Sequence, residues 1–255
     1  MDLPLFPLHA VLCPGVVLPL HVFEPRYRTM VQRCLADDTP FGVVLIREGR
    51  EVGPSVPAIA GVGTVAEIRE ANAYEDGRYD LLTVGTSRFA IEAVAAGPEP
   101  YLVGSVQPLP DAVDDLDRAR ALAERLSVRF VDYLRLLRPA EGEDATGMDV
   151  QVEVEVREVD GDGADSPDAA GADGAAGPPG ATREPVIPDD PTALSYLLSG
   201  IIQVELPRRQ ALLEADTTEA RLTALGRLLD RELPLLARRL RVWSADPRML
   251  AIRRN

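Results

Sequence analysis

The sequence predicts an α+β protein in which a β-rich N-terminal half is followed by a helical bundle. Residues 1 to about 110 hold short apolar runs separated by Gly and Pro, which is typical of strands and turns. From Asp114 onward, apolar residues recur every three or four positions, which is typical of helices. Residues 141–187 are rich in Ala, Gly, Asp and Pro, and this composition predicts a disordered insert.

The apolar runs of the first half are short and regularly spaced, which predicts a small barrel or sandwich. The predicted strands are Leu3–Leu8, Val16–Val22, Phe41–Arg47, Ala58–Glu70, Arg78–Val84, Arg88–Val94 and Tyr101–Pro108. Asp76-Gly77 is a hairpin-turn signal. Gly61-Val62-Gly63-Thr64 resembles half of a phosphate-binding loop, but a strand follows it rather than a helix, which favours a bulge or a close backbone approach.

One helix interrupts the strands, and Pro25 suits its first turn. Its apolar stripe has helical spacing and consists of Tyr27, Met30, Val31, Cys34 and Leu35. Cys34 therefore lies on the buried face, where an apolar environment raises a thiol pKa and favours a packing role.

The second half contains four further helical segments. A seam from Leu116 to Leu137 predicts the first, and Asp190-Pro191 predicts the start of the second. Pro207 predicts the start of a short helix, and Asp216-Thr217-Thr218-Glu219 resembles a capping box before a last helix that Pro234 should kink.

This pattern predicts three regions along the chain. They are a β-barrel subdomain at 1–110, a helical subdomain at 111–140 and 188–255, and the disordered acidic insert at 141–187. Val150, Val152, Val154 and Val156 alternate with polar residues inside the insert and could form one strand.

The charge is unevenly distributed. The chain has 27 basic and 41 acidic residues, a net of −14, and all of the basic residues are arginine. Between Glu141 and Asp190 there are 15 acidic residues and two arginines, so the rest of the chain has a net charge of only −1. The lack of lysine excludes a P-loop lysine, a Schiff base and a Ser–Lys dyad, and the acidic balance makes nucleic acid an improbable partner.

Few residues suit a metal or a catalytic site. His9 and His21 are the only histidines and Cys13 and Cys34 the only cysteines, so we expect no metal site and no cofactor. Cys13 lies four residues from His9, which leaves a Cys–His arrangement open, although no local signature supports it. Four prolines interrupt the uncharged stretch from Leu3 to Phe23, so we expect no membrane span and a soluble cytoplasmic protein.

The most informative segment joins an apolar strand to the first helix, from Pro19 to Arg28. It allows two interpretations. In the first it is a structural junction, in which Glu24 and Arg26 pair with each other or with backbone above Phe23 and Tyr27. In the second, these side chains contact a ligand directly. The structural motif consists of His21, Glu24, Pro25 and Arg26.

At this segment the sequence resembles the N-terminal substrate-binding domain of Lon proteases. The resemblance is carried by an ordered series of motifs: Leu3–Leu8, Val17–Tyr27, Phe41–Ile46, Gly61–Thr64, Asp76–Tyr79, Thr83–Gly85, Arg88-Phe89, Pro100–Leu102, Leu194–Leu197, Gln210–Glu214 and Arg221-Leu222. It covers roughly residues 1–110 and 189–235. The resemblance implies a PUA-like pseudobarrel packed on a helical bundle, and a role in engaging unfolded or tagged protein substrates.

The same resemblance implies that the ATPase and Ser–Lys protease domains of full-length Lon are missing here, because the chain ends at Asn255 and contains no lysine. We therefore expect a non-catalytic module that recognises exposed apolar segments of client proteins. Such a module could act as an adaptor for a separate ATP-dependent protease. We expect Phe23, Tyr27 and Met30 to lie near the edge of a peptide groove beside the first helix.

Two alternatives belong to other functional classes. PUA-like barrels elsewhere bind modified bases and nucleotides, so a small-molecule or RNA-binding module is the first. The second is an enzyme that uses Cys13 or Cys34 as its nucleophile.

Overall fold

The computed structural model of the chain describes residues 1–51, 57–95, 98–137 and 187–244. Within these residues, the strands come first and four of the helices follow them, as the α+β prediction requires. The elements are β1 (Asp2–Leu8), β2 (Val17–Val22), α1 (Pro25–Asp37), β3 (Phe41–Glu48), β4 (Ala58–Ile59), β5 (Val62–Ala73), β6 (Tyr79–Ala95), β7 (Leu102–Leu109), α2 (Leu116–Leu137), α3 (Pro191–Ile201), α4 (Leu206–Leu213) and α5 (Thr218–Ser244).

Five strands form a closed ring. β1 pairs antiparallel with β7 and parallel with β3, and the ring continues through antiparallel β7–β6, β6–β5 and β5–β3 pairs. β2 adds to β6, and the short β4 adds to β3. Ring closure distinguishes a barrel from the sandwich that the strand spacing also allowed.

β6 is a single strand of 17 residues where the sequence predicted two, Arg78–Val84 and Arg88–Val94. Gly85 lies in its middle and resembles a strand break in the sequence. A Cβ at this position would lie 2.4 Å from the carbonyl oxygen of Cys13, and the Gly85 amide donates to the carbonyl of Val16 at 3.0 Å. The glycine therefore allows a close backbone approach where β6 changes partner from β2 to β7.

The predicted strand Ala58–Glu70 is in fact two strands, β4 and β5. Gly63 lies in β5, where a Cβ would come within 2.6 Å of both the Phe89 ring and the Val43 carbonyl oxygen. The glycine motif is thus a close approach within a strand and not a phosphate loop. The hairpin predicted at Asp76-Gly77 is confirmed, since Gly77 has a φ of 80° and donates to the Tyr74 carbonyl.

α1 begins at Pro25 as predicted and packs its inner face into the main barrel core. Met30 and Val31 are fully buried, and Cys34 is buried with them. Leu35 departs from the prediction because it is 42% exposed, at the border of the apolar stripe. The helix ends at Asp37, and the left-handed φ of 50° at the next residue, Asp38, turns the chain toward β3.

The remaining helices enclose a second core. α2 packs mainly against α5, and α3 contacts both. The Asp190 carboxylate accepts from the Ala193 amide at 2.7 Å, which confirms the predicted cap of α3. The cap of α5 lies one residue later than predicted, because Thr217 accepts from Ala220 while Glu219 accepts from the amide of Asp115.

Apart from Ile187, the predicted insert at 141–187 lies outside the described residues, as does the predicted strand at Val150–Val156. Among the helices of the described ranges, none is long and apolar enough to cross a membrane.

Two buried arginines connect the barrel to the helices. Arg88 of β6 donates to the carbonyl oxygens of Leu213 and Ala215, both at 2.8 Å, and forms an ion pair with Asp111 at 2.9 Å. Its side chain is 1% exposed. One barrel side chain thereby fixes the turn between α4 and α5.

The second buried arginine, Arg221 of α5, approaches the same carboxylate. It lies 3.4 Å from Asp111, donates to the Ser195 hydroxyl at 3.0 Å, and donates to the Leu212 carbonyl at 3.0 Å. Its guanidinium stacks 3.9 Å from the centre of the Tyr196 ring. Two cations therefore share one carboxylate and several carbonyl acceptors, which is how buried charges are stabilised.

We predict that Arg221→Met lowers the free energy of unfolding by about 3 kcal/mol, because the shorter, uncharged side chain leaves buried acceptors without a donor. Urea unfolding followed by circular dichroism measures the change. Arg33→Met is the matched control, since the Arg33 side chain is 56% exposed and its ion pairs are with Asp37 and Glu99, and it should cost much less than Arg221→Met. Equal losses in both variants would contradict the structural role of Arg221.

Candidate functional site

The segment between β2 and α1 lies beside the tip of the β5–β6 hairpin. β2 pairs with the start of β6 so that His21 faces Asp80 and Val22 faces Tyr79. This register brings the residues singled out in the sequence next to the hairpin residues Tyr74 and Arg78. The candidate site is therefore built from two segments about fifty residues apart in the sequence.

A polar network holds the His21 ring in place. His21 Nδ1 lies 2.6 Å from Asp80 Oδ1, and the Tyr74 hydroxyl donates to the other oxygen of the same carboxylate. The hydrogen bonds from Tyr74 and then His21 lower the pKa of Asp80, and the bond to Asp80 raises the pKa of Tyr74. Asp80 thus stays ionised and orients both rings.

Three aromatic rings form an exposed surface, which we call the aromatic surface: His21, Phe23 and Tyr74. The His21 ring is stacked 6.1 Å from Phe23 and lies edge-on 6.3 Å from Tyr74. Phe23 is 51% exposed and Tyr74 is 44% exposed. The Arg78 guanidinium lies 5.3 Å from the Tyr74 ring centre. Large apolar side chains this exposed, and adjacent, are typical of interaction surfaces.

A small pocket of about 60 Å³ opens beside Phe23. Its apolar lining residues are Phe6, Leu8, Val22, Phe23 and Tyr27, and its polar ones are His21, Glu24 and Glu51. Phe6 and Tyr27 pack together with ring centres 4.3 Å apart, so the pocket rests on the barrel core. It has room for the end of one apolar side chain.

The charged residues of the junction contact each other. Arg26 Nε donates to Glu24 at 3.1 Å, and Arg26 Nη2 donates to the backbone carbonyl of Glu51 at 2.6 Å. The same guanidinium lies 4.5 Å from the Tyr27 ring centre. Pro25 occupies the first turn of α1 between them. Glu24 and Arg26 therefore fix the start of the helix and leave Phe23 free at the surface.

The structure separates the three residues expected at the groove edge. Phe23 is exposed, whereas Tyr27 is 2% exposed and contributes only to the pocket lining. Burial raises the pKa of Tyr27 to about 12. Met30 is fully buried in the core, so the groove edge does not include it. The correction follows from helical spacing, because Met30 lies three residues after Tyr27 on the same inward face.

The sequence reasoning missed Tyr74, Arg78 and Asp80. The signals in this region are the Asp76-Gly77 turn and the predicted strand Arg78–Val84, which indicate a hairpin but not the strand against which the hairpin lies. The register of β2 against β6 supplies that information.

A family model for the ATP-dependent protease La (LON) substrate-binding domain matches residues 2–231. The chain belongs to this family. The matched range includes the residues of both the aromatic surface and the buried arginine pair.

Relatives of this LON substrate-binding domain are Lon proteases. The Lon protease of Cytophaga hutchinsonii is 26% identical over 237 residues, which cover 92% of this chain and 24% of that protease. Lon protease 2 of Myxococcus xanthus is 35% identical over 115 residues, which cover 44% of this chain and 13% of that protein. The chain thus spans about a quarter or less of the length of these relatives.

Solved structures agree with the fold. A Lon N-terminal domain protein from Xanthomonas campestris superimposes with a TM-score of 0.54 at 25% identity, covering 88% of this chain and 96% of that one. The N-terminal domain of Lon protease from the Mycobacterium avium complex gives a TM-score of 0.53 at 18% identity, covering 91% of this chain and 99% of that one, and it supports the fold alone.

The titratable groups of this LON substrate-binding domain offer little for catalysis. Among the described residues, no three His, Cys, Asp or Glu side chains cluster as a metal site would require. Burial raises the pKa of Cys13 to about 12 and also raises that of Cys34. His9 Nδ1 lies 3.3 Å from the carboxylate of Glu51, and the same carboxylate accepts a hydrogen bond from the backbone amide of His9. Both thiols are therefore protonated and enclosed at neutral pH, which disfavours the cysteine-nucleophile alternative.

We predict that the free energy of unfolding falls as the pH rises from 9 toward 12. The unfolded thiol ionises near its ordinary pKa of 9.0 while native Cys13 keeps its proton up to a pKa of about 12, so unfolding releases a proton in this range. Each such group contributes a slope of at most about 1.4 kcal/mol per pH unit. Urea titrations at several pH values measure it.

The control for this prediction is Cys13→Ala, in which the slope should be shallower because one titrating group is gone. A thiol-specific reagent should also modify neither cysteine of the native protein at pH 7. Rapid modification under native conditions would contradict the burial of both thiols and revive a nucleophilic role.

Proposed function

We propose that this chain is a non-catalytic module that binds exposed apolar segments of unfolded client proteins. The observation that carries the proposal is the half-exposed Phe23, which stacks on the hydrogen-bonded His21 ring beside a small pocket with apolar and polar walls. A rigid aromatic side chain next to a pocket is the usual centre of a protein-binding surface, because it buries a large area at little entropic cost. Membership of the substrate-binding family supports the same function.

The chemistry of the chain supports a binding role without catalysis. The sequence has no lysine, which a Ser–Lys dyad and a P-loop both require. Its two thiols are buried, and their pKa values are raised. In this proposal, a separate ATP-dependent protease supplies both the hydrolysis of ATP and the cleavage of clients bound here. The module would then act as an adaptor that brings client and protease together.

The aromatic surface suits clients with short apolar motifs and little fixed structure. The pocket admits one side-chain end, while Phe23 and Tyr74 offer ring faces that accept many neighbouring side chains. Such a surface discriminates unfolded from folded proteins, since folded proteins bury the apolar side chains that it requires. Contact with one residue at a time also permits many different sequences to bind.

We predict that Phe23→Ala weakens binding of a fluorescein-labelled, Leu- and Phe-rich peptide by about tenfold, because truncation removes the central aromatic contact. Fluorescence anisotropy with the full chain measures the affinity. The matched control is Leu116→Ala on α2, since Leu116 is 46% exposed and lies outside the aromatic surface. That variant should bind as the parent does.

Both variants alter half-exposed side chains, so their melting temperatures should stay close to that of the parent. A Phe23→Ala variant with unchanged affinity, or a Leu116→Ala variant with an equal loss, would contradict the assignment of the site. No binding of any apolar peptide by the parent would contradict the function itself.

A further inference from the structure

One edge of β5 has no strand partner among the strands that the structure describes. β3 pairs with β5 only from Thr64 to Ala66, because β3 begins at Phe41, whereas the pairing with β6 continues to Ala73. The outward-pointing backbone groups of the Glu67–Ala73 segment therefore lack ladder partners, and the side chains from Arg69 to Ala73 are exposed. Such an edge is a template for another strand.

Helix α1 approaches the β5–β6 hairpin at both of its ends. Near its N-terminal end, the Arg28 side chain lies so close to the hairpin turn that a Cβ at Gly77 would come within 1.9 Å of Arg28 Nη2. At its C-terminal end, a pocket of about 410 Å³ lies between the helix terminus and β5. The pocket thus lies between the helix and the strand edge, and a helix beside an open strand edge is an arrangement that other peptide-recognition domains use to add a strand from a ligand.

The pocket at the C-terminal end of α1 combines apolar walls with an unpaired charge. Leu35, Pro40 and Ile68 supply the apolar part, and Leu35 is 42% exposed. Asp38 also lines the pocket, and its carboxylate has no ion pair or hydrogen bond within the described ranges. By contrast, Glu67 is paired with Arg69 at 3.4 Å. An arginine or lysine fits this chemistry, because its apolar stem packs on aliphatic walls while its charged head reaches a carboxylate.

We propose that the free edge of β5 takes up an extended segment of a client protein as an added strand, and that the pocket beside Asp38 receives a basic side chain of that segment. This inference rests on the proposed function and names the conformation and charge of the client. Backbone pairing supplies affinity for any extended chain, and the basic side chain sets its register.

Charge favours a foreign basic segment over a second copy of this chain. The edge and its pocket carry Asp38, Glu67 and Glu70 against the single cation of Arg69, so two copies placed edge to edge would bring like charges together. A basic extended segment meets no such repulsion at the pocket.

Three matched peptides test the proposal with the full chain. The first is a short peptide of alternating Val and Thr with one central arginine, the second has glutamate in its place, and the third is the arginine peptide with N-methyl groups on alternate amides. We expect the arginine peptide to bind, the glutamate peptide to bind about tenfold more weakly, and the N-methylated peptide not to bind. Hydrogen exchange of the Glu67–Ala73 amides should slow with the arginine peptide and should not slow with the N-methylated peptide.

Two variants test whether the Asp38 carboxylate causes the preference for arginine. Asp38→Asn removes the carboxylate but keeps a residue that adopts the left-handed φ of 50° at this position. It should abolish most of the preference for arginine over glutamate. Asp37→Asn is the control, because the Asp37 carboxylate instead pairs with Arg33 at 3.7 Å, and the preference should persist.

Equal binding of the N-methylated peptide would overturn strand addition, and an unchanged preference in Asp38→Asn would overturn the role of the pocket. The proposed function is tested separately. If the arginine peptide does not bind while the Leu- and Phe-rich peptide binds and depends on Phe23, the inference fails and the proposed function stands. If no peptide binds, both fail.

Discussion

The arrangement of the two halves depends on two buried guanidinium groups that share one carboxylate. Arg88 comes from strand β6 of the barrel and Arg221 from the last helix, and Asp111 lies on the connection between the two halves. Neither cation can be buried without acceptors, so the carbonyl groups of Leu213 and Ala215 must point into the seam. The turn between α4 and α5 is thereby fixed against the barrel. The positions of the other helices depend on that turn.

Local signals in the sequence predict most elements, and non-local contacts account for the errors. Pro25, Asp190-Pro191 and Asp76-Gly77 act on neighbouring backbone, so the starts of α1 and α3 and the β5–β6 turn could be predicted. Gly85 resembles a break because its reason is a contact with Cys13, 72 positions away, which no local pattern contains. The Glu219 carboxylate likewise accepts a hydrogen bond from the amide of Asp115, which is 104 positions away in the sequence.

The candidate site could be predicted only in part, for the same reason. Its first segment is visible in the sequence as a strand that passes into a helix through charged and aromatic residues. Which of these side chains reach the surface depends on what covers them. Phe23 follows the last residue of β2 and remains exposed, whereas Met30 faces the core from the helix. The contribution of Tyr74 and Asp80 requires the register of β2 against β6, which is a property of the folded sheet.

The two surfaces bordering α1 divide recognition in a way that suits unfolded clients. In the two proposals, the side chain of Phe23 contacts apolar side chains of the client, and the open edge of β5 pairs with extended backbone whatever its sequence. Folded proteins satisfy neither requirement, since their apolar side chains and backbone groups are already paired. Outside residues 141–190 the chain has a net charge of only −1, so the negative charge near Asp38 comes from the few acidic side chains at that pocket and edge. A preference for basic segments would therefore arise from the groove itself and would persist without the acidic region.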